Sequence, residues 1–544
     1  MRVTLFAVFL QPFVGLGAIF GPICQWHQDP STTMSVHWIE RLEERQQKNW
    51  TSETGPFRSE PQEPILLRRA LQIPKTVSKG AILVIEAKKD TTITVDIDGQ
   101  RIETTPGRKE AATLLINSQN LHKPILLAVS LLKTSQNASK TIPAPRVFIQ
   151  DQEEIIVLSD AKSLWNRSLT STPNPDWNRI PPLAGVLKID RDFIFAYRKL
   201  GDPQWKEARI SKRPFGPTND WVHSVQLSKL TADSSYEFEI LDHGVQVGQS
   251  LFKTAPLILP NEMVFVTGGD MFHTRQLLDS MNRRAGTENP LFALLGGDLA
   301  YANGVDGSRW LEWVESWNKC ATTPYGYSIP IIPVIGNHEV KGASYRPNDA
   351  PTKEAAPFFY SLFSGMKKGS MFTVDFGDYL SVIALDSGHT QNIKSQTPWL
   401  RETLHTRRSL PFKFACYHRP AWGTGVKGDS LEIQKEWCPL FEEYHVDAAF
   451  ENDHHIYKRT YPLKGGERDD SKGVVYLGDG AWGTRTRGLS KGVLKTRPFL
   501  AHAESRNHLI KVSLKKETIR YEAITASGER FDVFDRASGE ETPR

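Results

Sequence analysis

The most restrictive feature of the chain lies after Pro260, where short apolar runs alternate with amphipathic segments and each run ends in a glycine or a polar donor. Residues 262–267, 291–295, 329–335, 370–374, 379–385, 412–417, 446–450 and 474–477 read as strands. Residues 273–284, with Leu277, Leu278 and Met281 on one face, read as a helix, and further helices are expected at 398–406 and 433–444. Trp310, Trp313, Val314 and Trp317 fall at helical spacing and are expected to pack in a core. Strands alternating with helices predict an α/β sandwich, a fold that places its chemistry in the loops where strands end.

Those loops read Gly268-Gly269-Asp270, Gly297-Asp298-Leu299-Ala300-Tyr301, Gly336-Asn337-His338-Glu339, Tyr417-His418-Arg419-Pro420 and Asn452-Asp453-His454-His455. One glycine-aspartate pair after an apolar run is commonly only a turn. Five strand ends that all offer oxygen or imidazole donors point instead to a two-metal centre. Asp298 can bridge two cations, one on each oxygen. Tyr301 is the less usual donor: a phenolate suits ferric iron, and a bound cation can hold it ionised. His389, Arg419, His454, Arg485 and Arg487 are candidates for contacting a bound substrate, and Trp482 for walling a pocket. Cys416, inside a strand, reads as a small buried hydrophobe rather than a nucleophile.

At 544 residues the chain is too long for one core. Its net charge of +5 permits an anionic substrate, but no long Lys/Arg block indicates a nucleic-acid-binding module. Four cysteines without a CxxC spacing argue against a disulfide scaffold or a thiolate zinc site. Met1-Arg2 and the apolar stretch 3–20 read as a signal peptide over 1–25, with Gln11, Pro12 and several glycines disfavouring a permanent membrane span. The expected location is therefore exported: periplasmic, cell-surface or secreted, with no membrane span once the signal is removed.

Residues 26–65 read as a linker carrying one short helix around 36–46. Over 66–165 the runs 81–86, 92–97 and 124–129 predict a β-sandwich, with Asp98-Gly99 as a tight turn. It resembles galactose-binding jelly-roll modules, which implies carbohydrate or cell-surface binding as one reading and a structural spacer as the other. Over 170–257 a second all-β module is expected, in which Tyr236 after a polar corner resembles the end of a fibronectin type III-like domain.

The complete Gly297–Tyr301 and Gly336–Glu339 motifs, with His418 and His455 in their own loops, resemble the calcineurin-like metallophosphoesterases. Within that family the chain looks most like purple acid phosphatases and their bacterial relatives. The resembling domain is 258–536, including a C-terminal segment at 507–534. The resemblance implies one metal held by Asp270, Asp298, Tyr301 and His455, and another by Asp298, Asn337, His418 and Asp453. The ions would be divalent or trivalent, Fe plus Fe, Mn or Zn, clamping a phosphate ester and activating a bound water for in-line attack. His338 would supply a proton to the leaving oxygen or stabilise transition-state charge. Glu339 either orients that imidazole or is a solvated helix-start carboxylate.

Two positions depart from the family pattern. Met271-Phe272-His273 follows Asp270 where a glycine is usual two residues on, which places His273 either at a helix start or near a metal. Asp453 stands where the family has a histidine, so Asp453 or His454 is the ligand. A carboxylate there hardens the site toward Fe, Mn, Mg or Ca. The implied function is an exported phosphate-ester hydrolase of acid-phosphatase type. A phosphodiesterase or nucleotidase on the same site, or a surface glycan-binding protein with a degenerate phosphoesterase domain, are the alternatives.

Overall fold

The computed structural model describes residues 19–41, 50–58, 64–74, 76–97, 100–116, 124–133, 141–152, 154–160, 163–168, 191–366 and 369–537. The chain divides into two units, one built from 41–192 and the other from 19–40 together with 193–544, so the first is an insertion into the second.

The second unit is built on two large sheets. Met263–Gly268, Phe292–Leu295 and Ile331–Pro333 lie side by side and parallel. Phe292–Leu295 is buried along its whole length, as expected of a strand covered on both faces. Leu380–Ala384, Phe412–Cys416, Ala448–Glu451 and Val475–Gly478 form a second parallel run. The sheets face one another across an aromatic core in which Phe265 packs on Phe292 at 4.8 Å and edge-on to Phe414 at 5.4 Å. Arg275–Thr287 and Gly307–Cys320 cover the outer face of the first sheet, burying Trp310, Trp313 and Trp317. Ile393–Thr406, Leu431–Glu436 and Cys438–Glu443 cover the second. This is the expected α/β sandwich, with all parallel strands in each sheet ending on one side.

Two helices differ from the sequence reading. The one expected at 398–406 begins at Ile393 and carries Pro398 inside it. The one expected at 433–444 is broken at Trp437, since Pro439 near the start of the second piece has no N–H to continue the first.

The larger correction concerns the start of the chain. Ile19–Gln25, expected within a leader, is a strand, and Met34–Glu40, expected within a linker with a helix, is its antiparallel partner. Residues 1–18 and 42–49 lie outside the described residues. Met34–Glu40 is buried at every position because both its faces are covered, Met34, Val36 and Trp38 joining one core and Ile39 another, so the sequence shows no period-two alternation. Through Gln25 opposite Ile331 the hairpin joins the first sheet, which has ten strands among the described residues.

Residues expected in the second all-β module supply Phe193–Lys199, Lys206–Ala208, Ser235–Asp242 and Val245–Lys253 as one sheet. Trp221–Leu227 pairs instead with Met34–Glu40 of the N-terminal hairpin and carries Ile210–Pro214 on its other edge, and Trp38 stacks on Phe195 at 6.2 Å across the interior. Tyr236 OH accepts from Thr231 N at 2.8 Å, fixing the corner before its strand.

Among the described residues the inserted unit has antiparallel sheets of six, four and two strands, its first described strand being Trp50–Thr54, well before the expected start at 66. Ile65–Gln72 and Pro124–Lys133 pair over eight residues. Leu67, Leu83, Ile85, Val95, Leu127 and Trp165 are among its core. The expected Asp98-Gly99 turn lies outside the described residues, while Ile97 pairs with Gln100 on either side of it.

Candidate metal centre

The five strand-end loops meet at one side of the two-sheet unit and are stitched by backbone bonds. Asp270 N donates to Gly297 O at 3.0 Å, Met271 N to Asp298 O at 3.0 Å, and Asn452 N to His418 O at 2.8 Å. Gly297 has φ of 94°, and a Cβ there would lie 2.7 Å from Gly336 N and 2.9 Å from His418 Nδ1. Only glycine lets these loops approach so closely. Asp270, Asp298, Tyr301, Asp453 and His455 all have φ between 53° and 76°. Non-glycine residues in that region cost about 1–2 kcal/mol each and concentrate where function requires them.

One group of donors surrounds Asp270. Tyr301 OH donates to Asp270 Oδ1 at 2.7 Å, and His455 Nε2 lies 3.0 Å from both atoms. His455 Nδ1 donates to Arg485 O at 3.1 Å, which turns Nε2 inward. Burial, with Asp270 and Asp298 beside it, pushes the Tyr301 phenol well above its ordinary pKa. In this charge environment the phenolate requires a cation.

The other group surrounds His418, which is fully buried. Its Nδ1 donates to Gly296 O at 2.9 Å. Its Nε2 then faces three acceptors: Asp298 Oδ2 at 3.2 Å, Asn337 Oδ1 at 3.2 Å and Asp453 Oδ1 at 3.8 Å. A lone pair cannot face three oxygens without a proton or a cation between them. Burial alone would lower the His418 pKa, but Asp298, Asp270 and Asp453 outweigh it and raise it to about 10. Asp298 Oδ2 is buried without a hydrogen-bond partner among the described residues. Asp270, Asp298 and His418 present ligand atoms all within 4.8 Å of one another. The donors at Asp270, Asp298 and His418 therefore fit a metal ion.

His338 lies at the rim. Its N–H donates to Asp298 Oδ1 at 2.7 Å, its ring packs on Tyr301 at 4.3 Å, and Asn303 Oδ1 binds its Nδ1. Nε2 is left facing the shared carboxylate at 3.8 Å. Glu339 does neither thing expected of it. It is buried, and its carboxylate accepts from Gly336 N, Asp298 N and Leu299 N at 2.8–2.9 Å. It clamps two strand-end loops together rather than orienting His338.

The remaining candidates separate clearly. Arg419 Nη1 donates to Asp453 Oδ2 at 2.7 Å, and its guanidinium lies 4.4 Å over the Tyr345 ring. His454 points away from the donors, its Nδ1 3.3 Å from Asp479 Oδ2 in a fully buried pair. His389 is buried, with Nε2 at 3.1 Å from Ser387 Oγ and its ring 5.5 Å from that of His418. Burial lowers its pKa to about 4. Arg485 contributes a carbonyl, not its guanidinium, and His273 is exposed. Trp482 is core: its Nε1 donates to Asn282 Oδ1 at 3.0 Å and its ring packs near Trp317. All four cysteines are free, and burial pushes the Cys416 thiol up, as befits an inert residue.

Lys427, Asn303 and Asp479 were not anticipated. For Lys427 a signal exists in the glycine-spaced run Gly423, Gly425, Gly428 after the His418 loop. Asn303 and Asp479 follow site motifs, but nothing in their spacing marks them.

Two Mycobacterium tuberculosis proteins described as uncharacterized, from strains CDC 1551 / Oshkosh and H37Rv, are each 26% identical over 288 residues, 46% of this chain and 53% of theirs. The chain thus spans about half the length of the curated relatives it matches. A purple acid phosphatase from yellow lupin (Lupinus luteus) seeds superposes with a TM-score of 0.53 at 13% identity, covering 96% of each chain. A PhoD structure gives a TM-score of 0.47 at 9% identity, covering 98% of this chain and 90% of the other. Residues 259–456, which hold all the donors of both groups, match the family model of the calcineurin-like phosphoesterases.

Proposed function

We propose that the chain is a binuclear-metal phosphoesterase hydrolysing phosphate esters in the manner of an acid phosphatase. The observation that carries this reading is the convergence of the buried Asp270, Asp298 and His418, whose ligand atoms all lie within 4.8 Å of one another. Asp270, Asp298, Tyr301 and His455 would hold one ion, and Asp298, Asn337, His418 and Asp453 the other. Tyr301 favours iron at the first, and Fe, Mn or Zn would fill the second. When bound, such ions neutralise the phosphate ester and activate water for in-line attack.

The protein's own groups supply the rest. His338, fixed by Asn303 and by Asp298, presents Nε2 at the rim and would give a proton to the leaving oxygen. Arg419, stacked on Tyr345, is placed to bind a phosphate oxygen. Glu339 holds the Asp298 and Asn337 loops at fixed separation, so the donors need little rearrangement. The test is turnover of p-nitrophenyl phosphate by metal-loaded protein. Absence of hydrolysis of both this ester and its bis ester would refute the reading. A visible charge-transfer band that disappears in Tyr301→Phe would identify iron on the tyrosine.

We also infer that the hairpin 19–40 and strands 193–253 form one fibronectin type III-like sandwich, interrupted between its second and third strands by the inserted unit. Export belongs to the same proposal, with any cleavage falling before Ile19, since later cleavage removes a sheet strand. N-terminal sequencing of the native protein tests this, and a start after Gln25 would overturn it.

A further inference from the structure

Asp453 keeps different company from the other carboxylates of the centre. Its Oδ2 accepts from Arg419 Nη1 at 2.7 Å, and its Oδ1 is bound by Lys427 Nζ. That Oδ1 is the same oxygen that faces His418 Nε2. Among the described residues, the ion-pair partners of Asp270 and Asp298 are histidines alone. Lys427 is delivered by a fastened loop. Gly423 N donates to Asp429 Oδ1 at 3.1 Å, and Arg497 Nη1 bonds both Asp429 Oδ2 at 2.6 Å and Gly423 O at 3.0 Å.

On the two-metal reading of the site, we propose that Lys427 is a built-in competitor for the metal on the His418 side: Asp453 Oδ1 serves either the Lys427 ammonium or the ion. Arg419 keeps the carboxylate in place in both states by holding the opposite oxygen. An ammonium already on Oδ1 removes much of the negative charge that would attract the ion. Lys427 is 27% exposed, so its release to water is inexpensive, and the contest is an equilibrium rather than a block. The half-site at Tyr301 has no such competitor and fills first. Occupancy of the second position, and with it turnover, then follows the free metal concentration.

The experiment is calorimetric titration of the full-length, chelator-stripped protein with Mn²⁺. Wild type is expected to bind one ion tightly and a second more weakly. Lys427→Met should tighten the second step about tenfold and leave the first within about twofold, while Lys427→Arg, which retains the charge, should match wild type. Second-step affinities unchanged in Lys427→Met would overturn the competition while leaving the two-metal reading intact. Wild type that binds no Mn²⁺ at all would overturn both.

Discussion

The two halves of the metal centre use similar donors but balance their charge differently. Around Asp270 the donors are locked to one another: Tyr301 to Asp270, His455 to both, and no lysine or arginine pairs with them among the described residues. Around His418 the extra carboxylate, Asp453, arrives with Lys427 and Arg419 already attached. Burial opposes ionisation of Asp453, yet His418, Lys427 and Arg419 together hold it well below the usual carboxylate range. Donor count alone therefore does not set metal affinity. The cations a protein places on its own ligands decide how much charge is left for the metal.

In the proposed ligand sets Asp298 is common to both halves, so its removal should erase the contrast altogether. Asp298→Ala is expected to lower kcat/KM for p-nitrophenyl phosphate by on the order of 10³-fold and to reduce bound metal at both positions, measured by elemental analysis. Loss of one ion only would show that the halves do not share this ligand.

Support behind the halves is also unequal. The His418 loop rests on Glu451, whose carboxylate accepts from Tyr417 OH at 2.6 Å and Ala421 N at 2.7 Å and is paired with Lys458, both ends of that pair being wholly buried. Removing one partner leaves an uncompensated buried charge. Lys458→Met should destabilise the protein by about 3 kcal/mol in chemical denaturation and weaken metal binding on the His418 side more than at Tyr301. Equal weakening of both would mean that Glu451 supports the centre as a whole.

His338 sharpens the comparison from a third direction, because it touches Asp298 and Tyr301 without belonging to either donor set. His338→Ala is expected to reduce kcat about 10²-fold while both ions stay bound. If metal content falls in parallel, its role is to hold the Asp298 loop rather than to move a proton.

These differences explain what the sequence could and could not disclose. Gly297-Asp298 and Gly336-Asn337-His338 were legible because a strand must break where its donor turns inward, and glycine marks the break. The N-terminal hairpin was not, since an apolar run after a basic start suits a leader as well as a buried strand. Met34–Glu40 hid for the reason that makes it stable: burial on both faces removes alternation. Glu339 read as either an imidazole-orienting or a solvated carboxylate because its three backbone partners come from two loops far apart in sequence, Asp298 and Leu299 in one and Gly336 in the other. The pairing of Lys427 with Asp453 is likewise a product of the folded loop, and its glycine-spaced surroundings were the one trace it left.

The last contrast lies between the two ends of the strands that carry His418 and Asp453. At the end away from the metal centre, Asp447 Oδ2 accepts from Lys413 N at 2.8 Å, and Asp447 N returns a bond to Lys413 O at 2.9 Å. Burial raises the Asp447 carboxyl to about 6, with the Lys413 backbone bond, the Lys413 ammonium and Arg536 only partly offsetting it. The folded protein therefore binds a proton that the unfolded chain has lost between about pH 4 and pH 6. Stability contributed by this proton is complete below about pH 4 and is lost as pH rises through 6. Asp447→Asn keeps an acceptor for Lys413 N and removes the titration. Relative to this variant, wild type should lose about 3 kcal/mol of stability across that interval and then level off, measured by urea denaturation at successive pH values. Metal affinity in either half should not change. A shift there would mean that the strands transmit strain from one end to the other, and the contrast between the halves could no longer be assigned to the charges placed on Asp453.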